Sequence, residues 1–281
     1  MALSGQGGEI STDLSLSHVW IGDADLDQGG EMGSRHTSLR VDMDRSLGRG
    51  ESIGLSLGAV YRSHDFSGSS DLMQEEPWDK VTEYSVGLNW RRPAGEAGML
   101  FFAPSLEFAR GDGADWGDSL RGGAILSYGH RFSDSLTIGV GAGVFSGLEE
   151  TQGFPVLLID WRINESWRIG NPFRPGPTGP AGLEVVYTFA PEWEIALGGG
   201  WRSNRFRLDE NGPNPDGIGE VEGFPAFLRL SWRASETISL DLYGGMFLEG
   251  ELTYEDSDGD KIAEDDLDSA PMAGISLTAR F

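Results

Sequence analysis

The chain has 281 residues, of which 42 are glycine and none is cysteine. Its formal net charge is −24, and its acidic residues cluster in a few glycine-rich segments. A surface this negative repels nucleic acid, so nucleic-acid binding is excluded as a function class. No run of residues approaches the ~18 consecutive apolar positions that a transmembrane helix needs.

Apolar residues alternate with small or polar residues along almost the whole chain, which is the period of β-strands. The alternation predicts fourteen strands, at residues 9–21, 34–46, 52–65, 82–91, 98–110, 119–132, 136–147, 154–163, 167–172, 182–189, 193–208, 222–233, 237–253 and 270–281. The ninth segment is short and runs into prolines, so a count of twelve without that hairpin stays open. The sequence shows no repeat beyond the hairpin period and no low-complexity linker, which predicts a single domain over residues 1–281.

The last predicted strand ends on an aromatic residue. In residues 273–281 the odd positions are apolar, the even positions are small or polar, and the chain ends on Phe281. The connections between the predicted strands alternate between short turns, such as 133–135, and long acidic segments, such as 66–81 and 254–269. Together these features resemble the outer-membrane β-barrel proteins of Gram-negative bacteria, which have short periplasmic turns and long extracellular loops.

The resemblance implies an all-β fold: a transmembrane, antiparallel up-and-down β-barrel of about 14 strands, like the small monomeric porins. It also implies a location in the bacterial outer membrane, contact with membrane lipid and lipopolysaccharide, and recognition of the terminal strand by the barrel-assembly machinery. Residues 1–5 lack the basic start and apolar core of a signal peptide, so we expect that a leader was removed. The absence of cysteine fits an oxidising compartment. Whether the protein is a monomer or a homo-oligomer stays open.

Aromatic residues distinguish a barrel from a soluble β-sandwich, which also alternates but turns its apolar face inward. Several aromatic residues lie beside the short turns and in the apolar register, so they would form a ring at one height. Such a ring is typical of the girdle that lies at a membrane interface. The predicted girdle consists of Trp90, Trp161, Trp167, Trp193, Trp232 and Phe281.

The opposite register, which would face the lumen, carries equal numbers of arginine and acidic residues. These residues either form a salt-bridged network that stiffens the wall or a charged constriction that selects solutes. The predicted pore-lining residues are Arg40, Arg62, Arg91, Arg121, Arg131, Arg162, Arg202, Arg229, Asp42, Glu107, Asp160, Glu194 and Asp241. Many other inward positions are glycine or serine, and we expect these small residues to keep space open. Four large inward candidates could narrow the lumen: Phe101, Phe145, Tyr243 and Phe247.

One acidic segment resembles a short calcium-binding loop. Asp256, Asp258 and Asp260 alternate around a glycine, and Ca²⁺ prefers six to eight oxygen ligands. The resemblance predicts a Ca²⁺ site at Asp256, Asp258, Asp260, Asp265 and Asp266. The segment departs from an EF-hand because Lys261 stands where glycine is usual and no glutamate stands at the twelfth position. The alternative is a solvated acidic loop without a specific ion.

No motif in the sequence indicates catalysis. The four histidines, His18, His36, His64 and His130, lie in no local nucleophile motif, and no zinc-ligand spacing or phosphate-binding loop is present. We therefore expect a protein that is not an enzyme and has no cofactor other than possible Ca²⁺. Fourteen strands should leave a narrow, open or loop-gated water path. The leading hypothesis is a passive, porin-like channel for small hydrophilic solutes with acidic extracellular loops. The alternative is a non-conducting structural or interaction barrel whose acidic loops bind a partner, a surface layer or divalent cations.

Overall fold

A closed β-barrel forms the body of the molecule in the computed structural model, which describes residues 8–68, 77–172, 176–177 and 182–281. None of these residues belongs to a helix long and apolar enough to cross a membrane. The strands in chain order are β1 (Ile10–Asp25), β2 (Glu31–Gly48), β3 (Glu51–Ser67), β4 (Lys80–Ala94), β5 (Gly98–Gly111), β6 (Leu120–Ser133), β7 (Leu136–Gly147), β8 (Glu150–Arg162), β9 (Trp167–Gly170), β10 (Leu183–Ala190), β11 (Trp193–Gly199), β12 (Arg202–Arg207), β13 (Ile218–Arg233), β14 (Ile238–Glu255), β15 (Lys261–Leu267) and β16 (Ala270–Arg280).

Fourteen of these strands form the barrel wall: β1 to β11, β13, β14 and β16. Each wall strand pairs antiparallel with its neighbours, and β1 pairs with β16 from Asp13 opposite Arg280 to Ile21 opposite Met272, which closes the ring. The predicted all-β class and the count of fourteen are therefore confirmed. The short ninth strand exists, because β9 pairs with both β8 and β10.

Two strands lie outside the wall, and the sequence did not predict them as separate elements. Residues 193–208 were expected to form one strand, but the wall strand β11 ends at Gly199 and β12 begins at Arg202. The break follows three consecutive glycines, and glycine is unfavourable inside a strand. Close packing requires two of them, since an added Cβ would lie 2.7 Å from Glu184 at Gly198 and 2.7 Å from Phe224 at Gly199. The second extra strand, β15, lies in the expected loop 254–269 and pairs with an extension of β14.

The two faces of the wall differ as the alternation predicted. Large apolar side chains such as Leu16, Leu57, Val140, Leu228 and Leu277 are exposed on the outside of the barrel. A soluble protein would bury such a continuous apolar band, whereas a transmembrane barrel turns it towards lipid.

Aromatic side chains flank this band at both ends. At the short-turn end, Trp161, Trp167, Trp232 and Phe281 are exposed on the outside, and Trp90 and Trp193 are partly buried. Trp193 and Trp232 stack with ring centroids 5.9 Å apart. A second set of exposed aromatic residues lies at the long-loop end, where the sequence reasoning missed it: Trp20, Tyr61, Tyr84, Trp116 and Trp201. Phe281 pairs with Thr12, and Trp20 lies eight residues further along β1, or about 26 Å along the strand.

Asn171 completes the wall where β9 is too short to do so. Its side-chain oxygen accepts a hydrogen bond from the backbone N–H of Ile159 at 2.8 Å. Its side-chain nitrogen donates to the carbonyl oxygens of Leu157 and Gly182, both at 3.0 Å. The amide therefore replaces backbone partners between β8 and the start of β10.

Candidate functional site: the barrel mouth and lumen

A segment of chain crosses the long-loop end of the barrel, which we call the mouth. After leaving β11, residues 200–208, the crossing segment, pair with the outer half of β13 from Arg202 opposite Gly223 to Arg207 opposite Ile218. At its far end, Arg207 forms a parallel bridge with Arg110 of β5. Since β5 and β13 are seven places apart in the ring of fourteen wall strands, they lie on opposite sides of the barrel. The crossing segment therefore spans the mouth.

The crossing segment carries an apolar contact surface into the mouth. Phe206 is 1% exposed and packs edge to face against Trp78, with ring centroids 5.2 Å apart. It also stacks on His64, with centroids 6.4 Å apart. Neighbouring strands and loops surround these rings with further buried apolar side chains, namely Val81, Leu208, Val221, Leu252 and Leu267. The main buried apolar cluster of the protein thus closes one end of the barrel.

His64 is part of this closure and cannot carry a charge at neutral pH. It lies three residues beyond Tyr61, on the loop side of the outer aromatic ring, and it is buried. Burial, together with the nearby Arg62 guanidinium, lowers the pKa of His64 to about 3. His64 also lines a closed cavity of about 20 Å³, which His36, Arg62 and Asn204 help to form.

Ion pairs fasten the crossing segment to the surrounding loops. The Arg205 guanidinium, 3% exposed, donates hydrogen bonds to Glu220 at 3.1 Å and to Glu255 at 2.8 Å. It also donates to the carbonyl oxygen of Leu148 at 3.3 and 3.1 Å. Two residues further on, Arg207 pairs with Glu149 at 2.8 Å. Hydrogen bonds to ionised groups are the strong ones, so these two arginines attach the segment in addition to its backbone ladder with β13.

The turn that receives these arginines has an unfavourable backbone. Leu148 and Glu149 connect β7 to β8 with φ values of 54° and 62°, in the left-handed region that non-glycine residues rarely adopt. Each such residue costs on the order of 1 kcal/mol, so surrounding contacts must hold the turn. Burial of the Leu148 side chain and the bonds to Arg205 and Arg207 provide those contacts.

Below the crossing segment, several predicted pore-lining residues form a second charged layer. Arg62 donates hydrogen bonds to Glu83 and to Asn204 of the crossing segment, both at 2.9 Å. Arg202, also on the crossing segment, lies within electrostatic reach of Glu83 and Glu107. Arg121 reaches Gln152 at 2.5 Å. The structure thus brings the predicted residues Arg62, Glu107, Arg121 and Arg202 together at the mouth.

Two predicted pore-lining residues belong to a buried network instead of a water path. Arg229 is 1% exposed and donates to Glu184 at 3.0 Å, and its ion pair with Asp241 measures 3.5 Å. Ser231 hydrogen-bonds both Arg229 and Asp241. Arg229 and Asp241 face the interior, as predicted, but in this conformation they stiffen the wall and do not contact solvent.

The remaining predicted pore-lining residues lie at the short-turn end, where the lumen is open to water. Arg40 pairs with Asp42 at 2.7 Å, and Glu194 lies 3.9 Å from Arg233. The others are Arg91, Arg131, Asp160 and Arg162, which are all exposed. The lumen is therefore accessible from the short-turn end and closed at the mouth.

Two inward glycines, Gly123 and Gly143, do not leave empty space. At these two positions an aromatic ring from the neighbouring strand lies on the glycine backbone. An added Cβ at Gly123 would lie 2.5 Å from the Phe145 ring, and one at Gly143 would overlap Phe154. Phe145 was predicted to face inward, whereas Phe154 was missed, although it shares the register of Asp160 on the same strand.

The acidic loop between β14 and β15 is ordered by its own hydrogen bonds. Asp256 accepts from the backbone N–H groups of Asp258 and Asp260, both at 2.9 Å, and so caps the turn. Asp265 lies on β15, where burial raises its pKa and its carboxylate accepts from the backbone of Gln28 at 3.1 Å. Asp266 is exposed on the same strand. Within the described residues, no three histidine, cysteine, aspartate or glutamate side chains are grouped to hold a metal ion. The Ca²⁺ site stays a prediction.

The closed wall, apolar exterior and polar interior define the class: the chain folds as a Gram-negative outer-membrane β-barrel of fourteen strands. Within that class, a family model described as a domain of unknown function, DUF6268, matches residues 29–279, and the chain belongs to this family. None of the curated protein sequences matches it.

Several solved structures are similar to this chain at low sequence identity. The COG4313 outer membrane channel from Pseudomonas putida F1 is 11% identical with a TM-score of 0.52, and the match covers 98% of this chain and 96% of that one. The Pseudomonas putida toluene transporter TodX is 12% identical with a TM-score of 0.42, over 99% of this chain and 90% of that one. The NanC porin is 9% identical with a TM-score of 0.37, over 95% and 98%. At 11% identity, the similarity to the COG4313 channel shows the fold alone.

Proposed function

We propose that this protein is an outer-membrane channel for small solutes and that the crossing segment gates its mouth. The observation that carries the proposal is the position of the closure. The inward charged residues at the short-turn end are exposed, whereas the crossing segment, which has left the wall, and the buried apolar cluster around it close the other end. A protein with a purely structural barrel has no need of a separate closing element that is attached by ion pairs.

The arrangement supports movement of the crossing segment. It joins the wall at Gly199 and Gly200, and glycine tolerates the backbone changes of a hinge. Its far attachments, Arg205 and Arg207, bind carboxylates of three different loops or strand extensions, at Glu149, Glu220 and Glu255. In an open state, water would replace these ion pairs and the backbone ladder between β12 and β13, whereas the hydrogen bonds between the wall strands would stay intact.

We infer that the barrel-assembly machinery inserts this channel into the bacterial outer membrane. The two girdles of aromatic residues, one at each end of the apolar band, would contact lipid and lipopolysaccharide. We infer transport and not catalysis from the positions of the four histidines. His36 and His64 pack in the mouth, and His18 and His130 face outward, where His18 hydrogen-bonds Thr37 at 2.9 Å. The acidic loops would surround the entrance. Their binding of a partner or of divalent cations is the rival function.

A disulfide across the mouth tests the gate directly. The chain contains no cysteine, so the double variant Arg110→Cys/Arg207→Cys would hold the only thiols. Bridged strand residues have Cα atoms at a separation that suits a disulfide. The expected result in planar bilayers is a low conductance after oxidation that rises on adding a reductant. The single variants Arg110→Cys and Arg207→Cys control for loss of each arginine and should not respond to reductant.

Two results would argue against the proposal. In the first, neither the wild-type protein nor the reduced double variant conducts more than a bare bilayer. This result would contradict the channel function and favour the non-conducting barrel. Equal conductance of the oxidised and reduced double variant would keep the channel but remove the crossing segment as its gate.

A further inference from the structure

One stretch of the lumen wall is apolar below the closed mouth. The inner faces of β5 to β8 carry a continuous set of large apolar side chains: Phe101, Ile125, Phe145, Phe154, Val156 and Leu158. Register places them in adjacent rows, because Gly123 pairs with Phe145, and Gly143 pairs with both Ile125 and Phe154. The patch extends about 20 Å along β6, from the row of Gly123 to the row of Gly129. We call it the apolar wall.

The apolar wall is exposed to the lumen and rigid. Phe154 is 41% exposed although its side chain points inward. The rings of Phe145 and Phe154 are nearly parallel, at 13°, with centroids 6.0 Å apart. Both rings lie on glycine backbone, which allows little room for reorientation. A flat aromatic surface held in water favours a ligand that can cover it.

Arginines border the apolar wall at both ends, although Arg121 lies opposite Glu107 on β5. At the mouth end, the Arg121 guanidinium lies 5.4 Å from the centre of the Phe145 ring. At the short-turn end, the row below Leu158 contains Arg131 and Asp160, and Arg162 pairs with Arg168 beyond it. Arg91 lies opposite Phe101 on β4. Asp44 of β2 lies within electrostatic reach of Arg91.

The opposite wall has a different chemistry. There the arginines have carboxylate partners, with Arg280 bound to Asp13 and Arg40 bound to Asp42, both at 2.7 Å. By contrast, no salt bridge between described residues involves any of four arginines beside the apolar wall: Arg91, Arg131, Arg162 and Arg168. An unpaired guanidinium in a narrow lumen attracts a carboxylate and can bind it through two parallel hydrogen bonds.

We propose that the apolar wall binds small organic anions with a planar apolar body, of which aromatic monocarboxylates are the simplest. The ring of the solute covers Phe145 and Phe154, and its carboxylate pairs with Arg121 or with the arginines at the short-turn end. This inference rests on the proposed channel function, since it names the class of solute that would pass through the lumen.

Equilibrium binding tests the inference without using conductance. The full chain in lipid nanodiscs would be dialysed against labelled benzoate, with empty nanodiscs as the blank. Benzyl alcohol lacks the charge, acetate lacks the ring and benzylamine reverses the charge. Benzoate should bind at least tenfold more tightly than each of these three.

Variants locate the site. Phe154→Ala should weaken benzoate binding by roughly three- to tenfold, the size of one aromatic contact. Phe132→Ala, which removes an exposed ring from the outside of the barrel, is the matched control and should bind as the wild type does. Phe154→Leu keeps an apolar side chain for the case in which the alanine variant does not fold. Arg131→Gln should also weaken binding, whereas Arg40→Gln, on the opposite wall, should not.

The outcomes separate this inference from the channel itself. Absence of benzoate binding, or equal binding of benzyl alcohol, would overturn the inference even if the protein conducts ions. Equal loss of binding in the Phe132→Ala control would overturn the assignment to the apolar wall. Specific benzoate binding by a protein that does not conduct would support the site and overturn the channel.

Discussion

Removing the Arg205 side chain should open the mouth. The guanidinium is 3% exposed and contacts Glu220, Glu255 and the carbonyl oxygen of Leu148. Arg205→Ala leaves two buried carboxylates facing each other and an unpaired carbonyl oxygen, and breaking a buried ion pair in this way costs about 3–5 kcal/mol. Since the lost contacts stabilise only the closed state, the closed-to-open equilibrium should shift towards opening by on the order of a hundredfold or more.

Single-channel recording measures this shift as an increase in open probability. Arg35→Ala is the matched control, because Arg35 pairs with Asp65 at 3.0 Å at the same end of the barrel but both side chains are 58% exposed. An exposed pair contributes at most about 1 kcal/mol, so this control should change the open probability less than tenfold. Arg205→Lys, which keeps the charge but loses the planar fork, should give an intermediate value. An unchanged open probability in a correctly folded Arg205→Ala protein would refute the role of Arg205 as the attachment of the gate.

Four further predictions concern stability and assembly. Substituting Leu277 and Phe281 with aspartate should block assembly, because a charge on the lipid face costs up to ~2–4 kcal/mol and the aromatic terminus carries the assembly signal. Normal heat-modifiable migration of this variant in gel electrophoresis would contradict the prediction. Asn171→Ala should lower the free energy of unfolding by several kcal/mol in denaturant titrations, since it leaves one N–H and two carbonyl groups of the wall unpaired. If residues 256–260 bind Ca²⁺, the ion should raise the thermal midpoint, and equal midpoints in Ca²⁺ and in chelator would remove the site. Acid should destabilise the closed mouth. The pKa of His64 is about 3 in the folded protein and about 6.5 in the unfolded chain. The contribution of neutral His64 to the free energy of unfolding is therefore fully present above pH 6.5 and falls as the pH drops towards 3. Between pH 7 and pH 5 the free energy of opening the mouth should fall by about 2 kcal/mol, which hydrogen exchange of the crossing segment measures. The variant His64→Gln should not show this pH dependence.

The sequence by itself determined the wall of the barrel. Successive side chains of a strand point to opposite faces, so the face of a residue such as Leu57 or Leu277 depends only on its place in the alternation. The preferred count of fourteen strands followed from the same local pattern, although the short β9 left twelve open. The apolar exterior and the girdle of aromatic residues at the short-turn end followed from it as well. None of these features requires knowledge of a distant contact.

The tertiary structure alone decided what the inward residues do. The alternation continues through β12, so the sequence could not show that the strand leaves the wall after Gly199 and crosses the mouth. The equal numbers of inward arginines and acids left open whether they form a salt-bridged network or a charged constriction. In the structure Arg205 reaches Glu255 across fifty residues, while Arg131 has no ion-pair partner among the described residues. Pairing of this kind depends on the relative positions, along the barrel axis, of strands that lie far apart in the chain. Barrel closure and the path of the crossing segment determine those positions. A pattern with a period of two residues carries no information about either.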